Sequence, residues 1–126
     1  MNLYKSVNID SEFGSGLGFY SEGNKRWKVT SLVYAAKDLE PFDLPLSCLM
    51  IGTHVWDEKI SVKEFAMHVK RCLDTDMDLP VIMDDEGFIM DGWHRVARGL
   101  FEGRETIKAV RFDKTPECDY EVIEDK

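Results

Sequence analysis

The segment FIMDGWHRVARGL, residues 88–100, brings together several side chains that could bind an anion. After an apolar run and an Asp-Gly step come an imidazole at His94 and guanidiniums at Arg95 and Arg98. If a helix starts at this step, its first backbone N–H groups lack helical partners, and the macrodipole adds about half a positive charge there. Gly92 lacks a Cβ, so an anion could approach the backbone closely. The residue types and their spacing therefore indicate a phosphate site at the start of a helix.

A second interpretation of these charges is structural. Cations at a helix N-terminus interact unfavourably with the helix dipole, at a cost of roughly a few tenths of a kcal/mol. A neighbouring anion would offset this cost. A bound phosphate would be one such anion. The carboxylates of Asp84, Asp85 and Asp91 would be another, with Asp91 also capping the helix. The residues alone leave both interpretations open.

The flanking pattern predicts the elements that would hold this segment. Two apolar runs, 81–84 and 88–90, bracket the Asp-Glu-Gly turn at 85–87, which predicts a hairpin buried on both faces. A helix then starts at position 92 or 93, runs to about 102 and stops at a glycine, and a strand covers 106–112. The segment would thus lie where a buried strand passes into a helix.

The stretch SVKEFAMHVKRCL is the clearest helix pattern in the chain. Ser61 and Glu64 have the spacing of a capping box, in which the hydroxyl accepts from the Glu64 backbone and the carboxylate reaches back to the cap. Apolar residues recur at helical spacing on one face, which predicts that this face belongs to the core. These residues are Val62, Phe65, Ala66, Val69 and Leu73.

Two weaker patterns precede this helix. The proline-punctuated stretch FDLPLSCLMI predicts a short edge strand or an extended stretch that runs into a turn near Gly52. Before it, a first helix ending near residues 37–39 is predicted by apolar residues at helical spacing. They are Val29, Leu32, Val33 and Ala36.

These elements predict one domain over 27–115, of the α+β class, with helices packed on a small mixed sheet. Residues 1–26 are rich in glycine, serine and asparagine without a sustained period, so we expect a flexible or loosely attached N-terminal segment. Residues 116–126 hold repelling charges and isolated apolar residues, so we expect an acidic mobile tail.

The composition narrows the functional classes. No apolar run approaches the roughly 18 residues of a membrane span, and the N-terminus lacks a signal-peptide pattern, so we expect a cytoplasmic protein without a membrane partner. The three cysteines lack CxxC spacing, which indicates neither a zinc site nor a disulfide framework. A net charge of −8 argues against a large nucleic-acid surface, although a local basic pocket is compatible with it.

The capped helix, the stretch LPVIMDDEGFIMDGWHRVARGLFEG and the closing strand together resemble the ParB/sulfiredoxin superfamily. The recurring pattern of that superfamily is an apolar strand opening with proline, a tight turn, an apolar strand, Asp-Gly-x-His-Arg, a short helix, a glycine and another strand. The resemblance covers about residues 60–112 and extends weakly to about residue 40. It implies a ParB/sulfiredoxin-like α+β fold, and a single-domain member encoded by a phage or plasmid would fit it.

Members that resemble this motif bind nucleotides: CTP in ParB partition proteins, ATP in sulfiredoxin, and ADP or ATP in free-serine kinases. The resemblance therefore implies a nucleoside triphosphate or diphosphate with Mg²⁺ as the ligand. By position, Gly92, His94 and Arg95 would form the phosphate-binding turn. Asp91 would orient the turn or assist a metal, which makes Asp91 and His94 the candidate catalytic residues.

The chain departs from these families at Trp93. This position holds the catalytic cysteine of sulfiredoxin and the first histidine of the serine-kinase motif, which argues against sulfinic acid reduction and weakens the case for kinase chemistry. The chain is also too short for the helix-turn-helix domain of ParB, so operator binding is not expected. Trp93 itself could stack on a nucleobase or anchor the helix as a core aromatic.

Other chemistry-bearing residues are less specific. Glu40 and Asp43 lie where the serine kinases place a catalytic glutamate, and turn-forming acids beside Pro41 explain them equally well. His68 lies away from the apolar stripe of its helix, so we expect it at a partly exposed surface. His54 has no second histidine at ligand spacing, and no metal site is predicted.

The first functional hypothesis is a domain that binds a nucleotide or related phosphate through residues 91–95, with phosphoryl transfer or hydrolysis left open. The alternative is a non-catalytic protein-interaction module of a phage or plasmid that acts on a host protein. A ParB-like nuclease is the third hypothesis. The acidic composition and the lack of a second metal-ligand cluster in the sequence argue against it.

Overall fold

The computed structural model describes residues 18–56 and 59–123. Over these residues the chain forms a mixed α+β structure with two sheets and three helices. The elements in chain order are β1 (Phe19–Glu22), β2 (Lys25–Lys28), α1 (Val29–Ala36), β3 (Phe42–Pro45), a 3-10 turn (Leu46–Cys48), α2 (Val62–Asp74), β4 (Val81–Met83), β5 (Ile89–Asp91), α3 (Trp93–Phe101), β6 (Thr106–Arg111) and β7 (Tyr120–Glu121). Within this described part, no helix is long and apolar enough to cross a bilayer.

The larger sheet has the strand order β3-β6-β4-β5. Strand β4 pairs with β5 in antiparallel and with β6 in parallel orientation, and α3 makes the crossover between β5 and β6. Strand β3 pairs antiparallel with β6 at the edge, so the predicted edge strand is confirmed. The predicted strand near residues 106–112 is confirmed as β6.

The predicted hairpin is confirmed, and the apolar residues of β4 and β5 are buried on both faces. The return strand begins at Ile89, and Phe88, which we predicted within it, is 58% exposed. Val81 and Met83 belong to an apolar cluster that includes Val96 of α3. Ile82, between them, belongs to a cluster on the other face of the sheet together with Leu32 of α1. Because successive strand residues face opposite sides, one short strand contributes to the core on both sides of the sheet.

The turn of this hairpin is held by Asp84. Its Oδ1 atom accepts hydrogen bonds from the backbone N–H groups of Glu86, at 3.0 Å, and Phe88, at 2.8 Å. Gly87 has a φ of 92°, a conformation that glycine adopts without steric cost. The carboxylate of Asp84 is therefore used within the turn.

Within the N-terminal segment that we expected to be flexible or loosely attached, residues 18–26 contain β1 and the start of β2, and residues 1–17 lie outside the described range. Strands β1 and β2 form an antiparallel hairpin around a turn in which Gly23 has a φ of 59°. Trp27 at the end of this hairpin is 5% exposed and belongs to the same cluster as Ile82. Trp27, together with the partly buried Tyr20, thus attaches the hairpin to the core, although the segment has no apolar period.

Within the acidic tail that we expected to be mobile, residues 116–123 include a strand and make defined hydrogen bonds, and residues 124–126 lie outside the described range. Strand β7 pairs with β2 and completes a three-stranded sheet with the order β1-β2-β7. The Trp27 indole Nε1 donates to the Pro116 carbonyl at 2.7 Å, and the Asp119 N–H donates to the Arg26 carbonyl at 2.8 Å. Backbone pairing, which does not depend on apolar side chains, holds this segment.

The first predicted helix is confirmed as α1, and Asp119 in the tail forms hydrogen bonds at its N-terminus. The Asp119 carboxylate accepts from the Lys28 backbone N–H at 2.7 Å and from the Ser31 hydroxyl at 2.8 Å. Leu32 and Ala36 are buried, whereas Val33, which we also predicted on the apolar face, is exposed. A carboxylate distant in sequence therefore stabilises the first turn of this helix.

The extent and the cap of α2 are as predicted, but its predicted core face is wrong. The Ser61 hydroxyl accepts from the Glu64 N–H at 3.1 Å. Val62 is 88% exposed and Phe65 59% exposed, and Val69 and Leu73 are exposed as well. The buried residues are Met67 and Cys72, because α2 packs against α3 through a different face.

We predict that Asp119→Ala destabilises the fold by about 1 kcal/mol at pH 7, because α1 loses its supporting carboxylate. The hydrogen bond from the Lys28 backbone, and then that from the Ser31 hydroxyl, hold the pKa of Asp119 below its usual value. Such a carboxylate stabilises the fold above its unfolded pKa of about 3.9, and the effect is lost as the pH falls through the folded pKa. Urea denaturation at pH 7 and pH 3 measures both effects. Asp113→Ala is the control, and equal losses in the two variants would contradict the assignment.

The exposed face of α2 gives a second prediction. Phe65→Ala should change the free energy of unfolding by less than about 1 kcal/mol, as expected for a surface position. Met67→Ala should cost roughly 2–5 kcal/mol, because Met67 is 2% exposed and its removal leaves a cavity. Thermal and chemical denaturation of both variants provide the comparison. A larger loss for Phe65→Ala than for Met67→Ala would show that α2 is rotated about its axis.

Candidate functional site

Helix α3 begins after Gly92, which is the N-cap residue and has φ 114° and ψ 18°. Asp91 is the last residue of β5, so the prediction that it caps this helix is wrong. A Cβ on Gly92 would lie 2.5 Å from the Val81 Cγ1 atom and 2.8 Å from the Arg95 Nη1 atom. Both the backbone conformation and the packing therefore require glycine, and protein side chains occupy the space beside it.

The side chains of the first turn of α3 point in different directions, because successive helical residues are separated by about 100°. Trp93 packs against the cluster that contains Val81 and lines a pocket of about 270 Å³. His94 faces α2, and Arg95 lines a different cleft of about 300 Å³ together with Asp91. The structure thus brings Asp91 and Arg95 together and directs Trp93 and His94 elsewhere.

Arg95 has a partly buried guanidinium with long contacts. Its Nη1 atom lies 3.9 Å from the Asp91 Oδ2 atom and 3.5 Å from the Pro80 carbonyl oxygen. Among the residues that the structure describes, the Nε atom of Arg95 is buried without a hydrogen-bond partner. A buried donor that lacks a partner costs about 1–3 kcal/mol, so the hydrogen bonds of this guanidinium are incompletely satisfied within the described residues.

Arg98, predicted as a phosphate ligand, is engaged at the end of α2. Its Nη1 atom donates to the carbonyls of Leu73, at 2.8 Å, and Thr75, at 3.1 Å. Its Nε atom lies 3.4 Å from the Glu102 carboxylate. Arg98 therefore satisfies carbonyls at the C-terminus of α2 and is directed away from the first turn of α3.

His94 is part of a cluster of three rings. Its Nε2 atom lies 2.8 Å from the Nδ1 atom of His68 in α2. The Trp56 ring centroid lies 5.0 Å from that of His94, with an angle of 29° between the planes, and 4.6 Å from that of His68. A hydrogen bond between two imidazoles requires one nitrogen to donate and the other to accept. This ring cluster of Trp56, His68 and His94 joins a loop to both helices.

The electrostatics of the ring cluster disfavour protonation. Burial, followed by the charges of His68, Arg71 and Arg95, lowers the pKa of His94 to about 4. Burial also lowers the pKa of His68, opposed by Glu64 and reinforced by Arg71. His94 is therefore neutral at pH 7, and the lowered pKa of His68 favours its neutral form as well.

Two predicted residues lie apart from the ring cluster. Glu40 is exposed in the loop between α1 and β3, and its neighbours Leu39 and Pro41 line the same 300 Å³ cleft as Asp91 and Arg95. Asp43 forms an ion pair with Lys108 of β6 at 3.2 Å. In the part of the chain that the structure describes, no three His, Cys, Asp or Glu side chains are placed to hold a metal.

Sequence reasoning missed Trp56, Arg71 and the role of His68. His68 was expected at a partly exposed surface because it lies off the apolar stripe of α2. That stripe faces solvent, and the opposite side of the helix, which carries His68, packs against α3. The local pattern held no signal for this, because the two histidines are 26 residues apart in the chain.

Comparison of the chain with protein-family models, curated proteins and solved structures found no match in any of the three. Its function is therefore inferred from the geometry and the motif.

We predict that Gly92→Ala destabilises the fold more than Gly103→Ala does. Both glycines have a positive φ, of 114° and 71°, so both substitutions strain the backbone by roughly 1–3 kcal/mol. No atom lies within 4 Å of a Cβ at Gly103, whereas a Cβ at Gly92 meets Val81 and Arg95. Overpacking should add about 1–3 kcal/mol, measured by urea denaturation. Equal losses would show that Val81 and Arg95 move aside freely.

Proposed function

We propose that this domain binds a nucleotide or another phosphate-containing ligand at the start of α3. The observation that carries the proposal is the imidazole pair at the start of α3, in which the His94 Nε2 atom lies 2.8 Å from the His68 Nδ1 atom. In addition to burial, the charges of Arg71 and Arg95 act on this pair and help to lower the pKa of His94. Arg71 and Arg95 thus bring positive charge close to the two imidazoles, in a chain with a net charge of −8. Positive charge of this kind attracts anionic ligands.

The hydrogen-bonding chemistry supports the same ligand class. Guanidiniums bind phosphate oxygens with charge-assisted bonds, each worth roughly 1.5–3 kcal/mol. A phosphate bound next to an imidazole raises the pKa of the imidazole, because a nearby negative charge favours its charged form. Trp56, which contacts both imidazoles, offers an aromatic surface for an organic group.

The motif supports the proposal independently of this geometry. Asp91, Gly92, His94 and Arg95 occupy the positions of the Asp-Gly-x-His-Arg motif, and the ParB/sulfiredoxin proteins that the chain resembles use this turn for nucleotides. On this basis the proposed fold type is ParB/sulfiredoxin-like. The proposed ligand is a nucleoside diphosphate or triphosphate, with Mg²⁺ bound to its phosphate oxygens.

We predict that phosphate, pyrophosphate and nucleotides raise the melting temperature, and that the affinity for sulfate, which stays a dianion over this range, increases as the pH falls from 7 to 5. Binding of the anion raises the pKa of His94 from about 4, so the complex takes up protons and is favoured at lower pH. A ligand at a free concentration of 100 times its Kd stabilises the fold by about 2.7 kcal/mol. Thermal-shift titrations and NMR titration of the His94 imidazole measure the two effects.

Substitutions test which residues bind. His94→Ala and Arg95→Ala should each weaken binding about ten- to a hundredfold, by loss of one charge-assisted bond. Arg71→Ala tests the same region from an exposed position, so it remains informative if the His94 variant fails to fold. Lys108→Ala, which removes a cation paired with Asp43, is the matched control. If the wild type responds to no phosphate, sulfate or nucleotide at any pH, the proposal is wrong.

A further inference from the structure

A cleft of about 300 Å³ lies between the end of α1 and the start of α3, on the opposite side of the first turn of α3 from the pocket lined by Trp93. Its lining includes the buried residues Ile82 of β4 and Val110 of β6, and the exposed side chains of Val33 and Leu79. Ligand pockets in proteins measure about 300–1,000 Å³, so this cleft suits a small metabolite.

Three charged residues line this otherwise apolar cleft: Lys37, Asp91 and Arg95. The Lys37 ammonium lies over the Tyr34 ring, 4.0 Å from its centroid. The Asp91 carboxylate and the Arg95 guanidinium form an opposite pair, and their side chains are 26% and 16% exposed. Their closest atoms are 3.9 Å apart, longer than a charge-assisted hydrogen bond of about 2.7–2.9 Å. Within the described residues, the buried Nε atom of Arg95 also lacks a hydrogen-bond partner. The hydrogen-bonding groups of this pair are therefore incompletely satisfied by the described residues of the protein.

The charges restrict which small molecules fit. A simple carboxylate that reached Arg95 would meet the negative charge of Asp91, and a simple amine that reached Asp91 would meet the positive charge of Arg95. A molecule with an ammonium and a carboxylate on neighbouring atoms would satisfy both, because each group meets its opposite. The apolar remainder of the molecule would then lie against Ile82 and Val110.

We propose that this cleft binds a free α-amino acid with an apolar side chain. The Asp91 carboxylate accepts from the ligand ammonium, and the Arg95 guanidinium donates to the ligand carboxylate. The apolar walls select a side chain of the size of leucine or phenylalanine. The site is separate from the proposed phosphate site at His94, with Arg95 contributing to both.

Isothermal titration calorimetry of the full chain with L-leucine and two analogues tests whether the ligand ammonium pairs with Asp91 and the ligand carboxylate with Arg95. 4-Methylpentanoate lacks the ammonium group, and 3-methylbutylamine lacks the carboxylate. L-Leucine should bind, and each analogue should bind at least ten times more weakly. Glycine, which lacks the side chain, should also bind at least ten times more weakly. Methyl NMR signals of Ile82 and Val110 should shift with L-leucine, which locates the ligand in the cleft.

Two variants test the named residues. In Asp91→Asn, L-leucine and 4-methylpentanoate should bind with affinities within about threefold of each other, because the preference for the ammonium group is lost. Leu79→Trp, at the rim, should weaken L-leucine at least tenfold, whereas the control Lys108→Ala should leave it unchanged. Melting temperatures verify folding, and the analogue series on the wild type decides the question if Asp91→Asn does not fold.

Three results would overturn the inference: no binding of L-leucine or L-phenylalanine, equal binding of L-leucine and 4-methylpentanoate by the wild type, or methyl shifts confined to the pocket at Trp93. A phosphate titration on the same sample separates this inference from the phosphate site. Phosphate binding without amino-acid binding rejects the amino-acid cleft alone, and amino-acid binding without phosphate binding rejects the phosphate site alone.

Discussion

The start of α3 depends on the burial of strand β4 on both of its faces. Val81 and Met83 contribute to the apolar cluster that contains Val96 of α3, and Ile82 contributes to the cluster on the other face of the sheet. A strand buried on both sides requires elements packed on both sides of its sheet. Val81 also fills the space beside Gly92. The strand that organises the core therefore also determines where the backbone turns into α3.

The side chains of the first turn of α3 lie in different environments. Trp93 adds to the core, His94 meets the rings of His68 and Trp56, and Arg95 lines an apolar cleft beside Asp91. This distribution follows from helical geometry, because three successive side chains leave the axis in three directions. A motif that is compact in sequence therefore contributes to separate surfaces, and the guanidinium of Arg95 lies in the cleft with Asp91.

Polar contacts account for the unexpected orientation of α2. The His68–His94 hydrogen bond and the bonds from Arg98 to the carbonyls of Leu73 and Thr75 join α2 to α3. These contacts lie on the side of α2 that also buries Met67, so the longer apolar stripe is left facing solvent. Hydrophobic periodicity predicted that α2 is a helix, but the face of the helix that is buried depends on the partner that it meets.

Features governed by nearby residues were determined by the sequence itself: the hairpin around Gly87, the cap at Ser61, the span of α2 and the end of α3 before Gly103. Each depends on backbone preferences and on hydrogen bonds that span about four residues. The Asp-Gly-x-His-Arg segment could likewise be located at a strand-to-helix transition from sequence alone.

Only the tertiary structure decided the docking of the tail onto β2, the attachment of the first hairpin through Trp27, and the meeting of His68 with His94. The same holds for the choice of Gly92 over Asp91 as the N-cap residue, since close packing against Val81 admits no Cβ there. These features arise from contacts between residues distant in the chain. The burial and charge of a side chain in such contacts depend on what packs against it, which local periodicity does not encode.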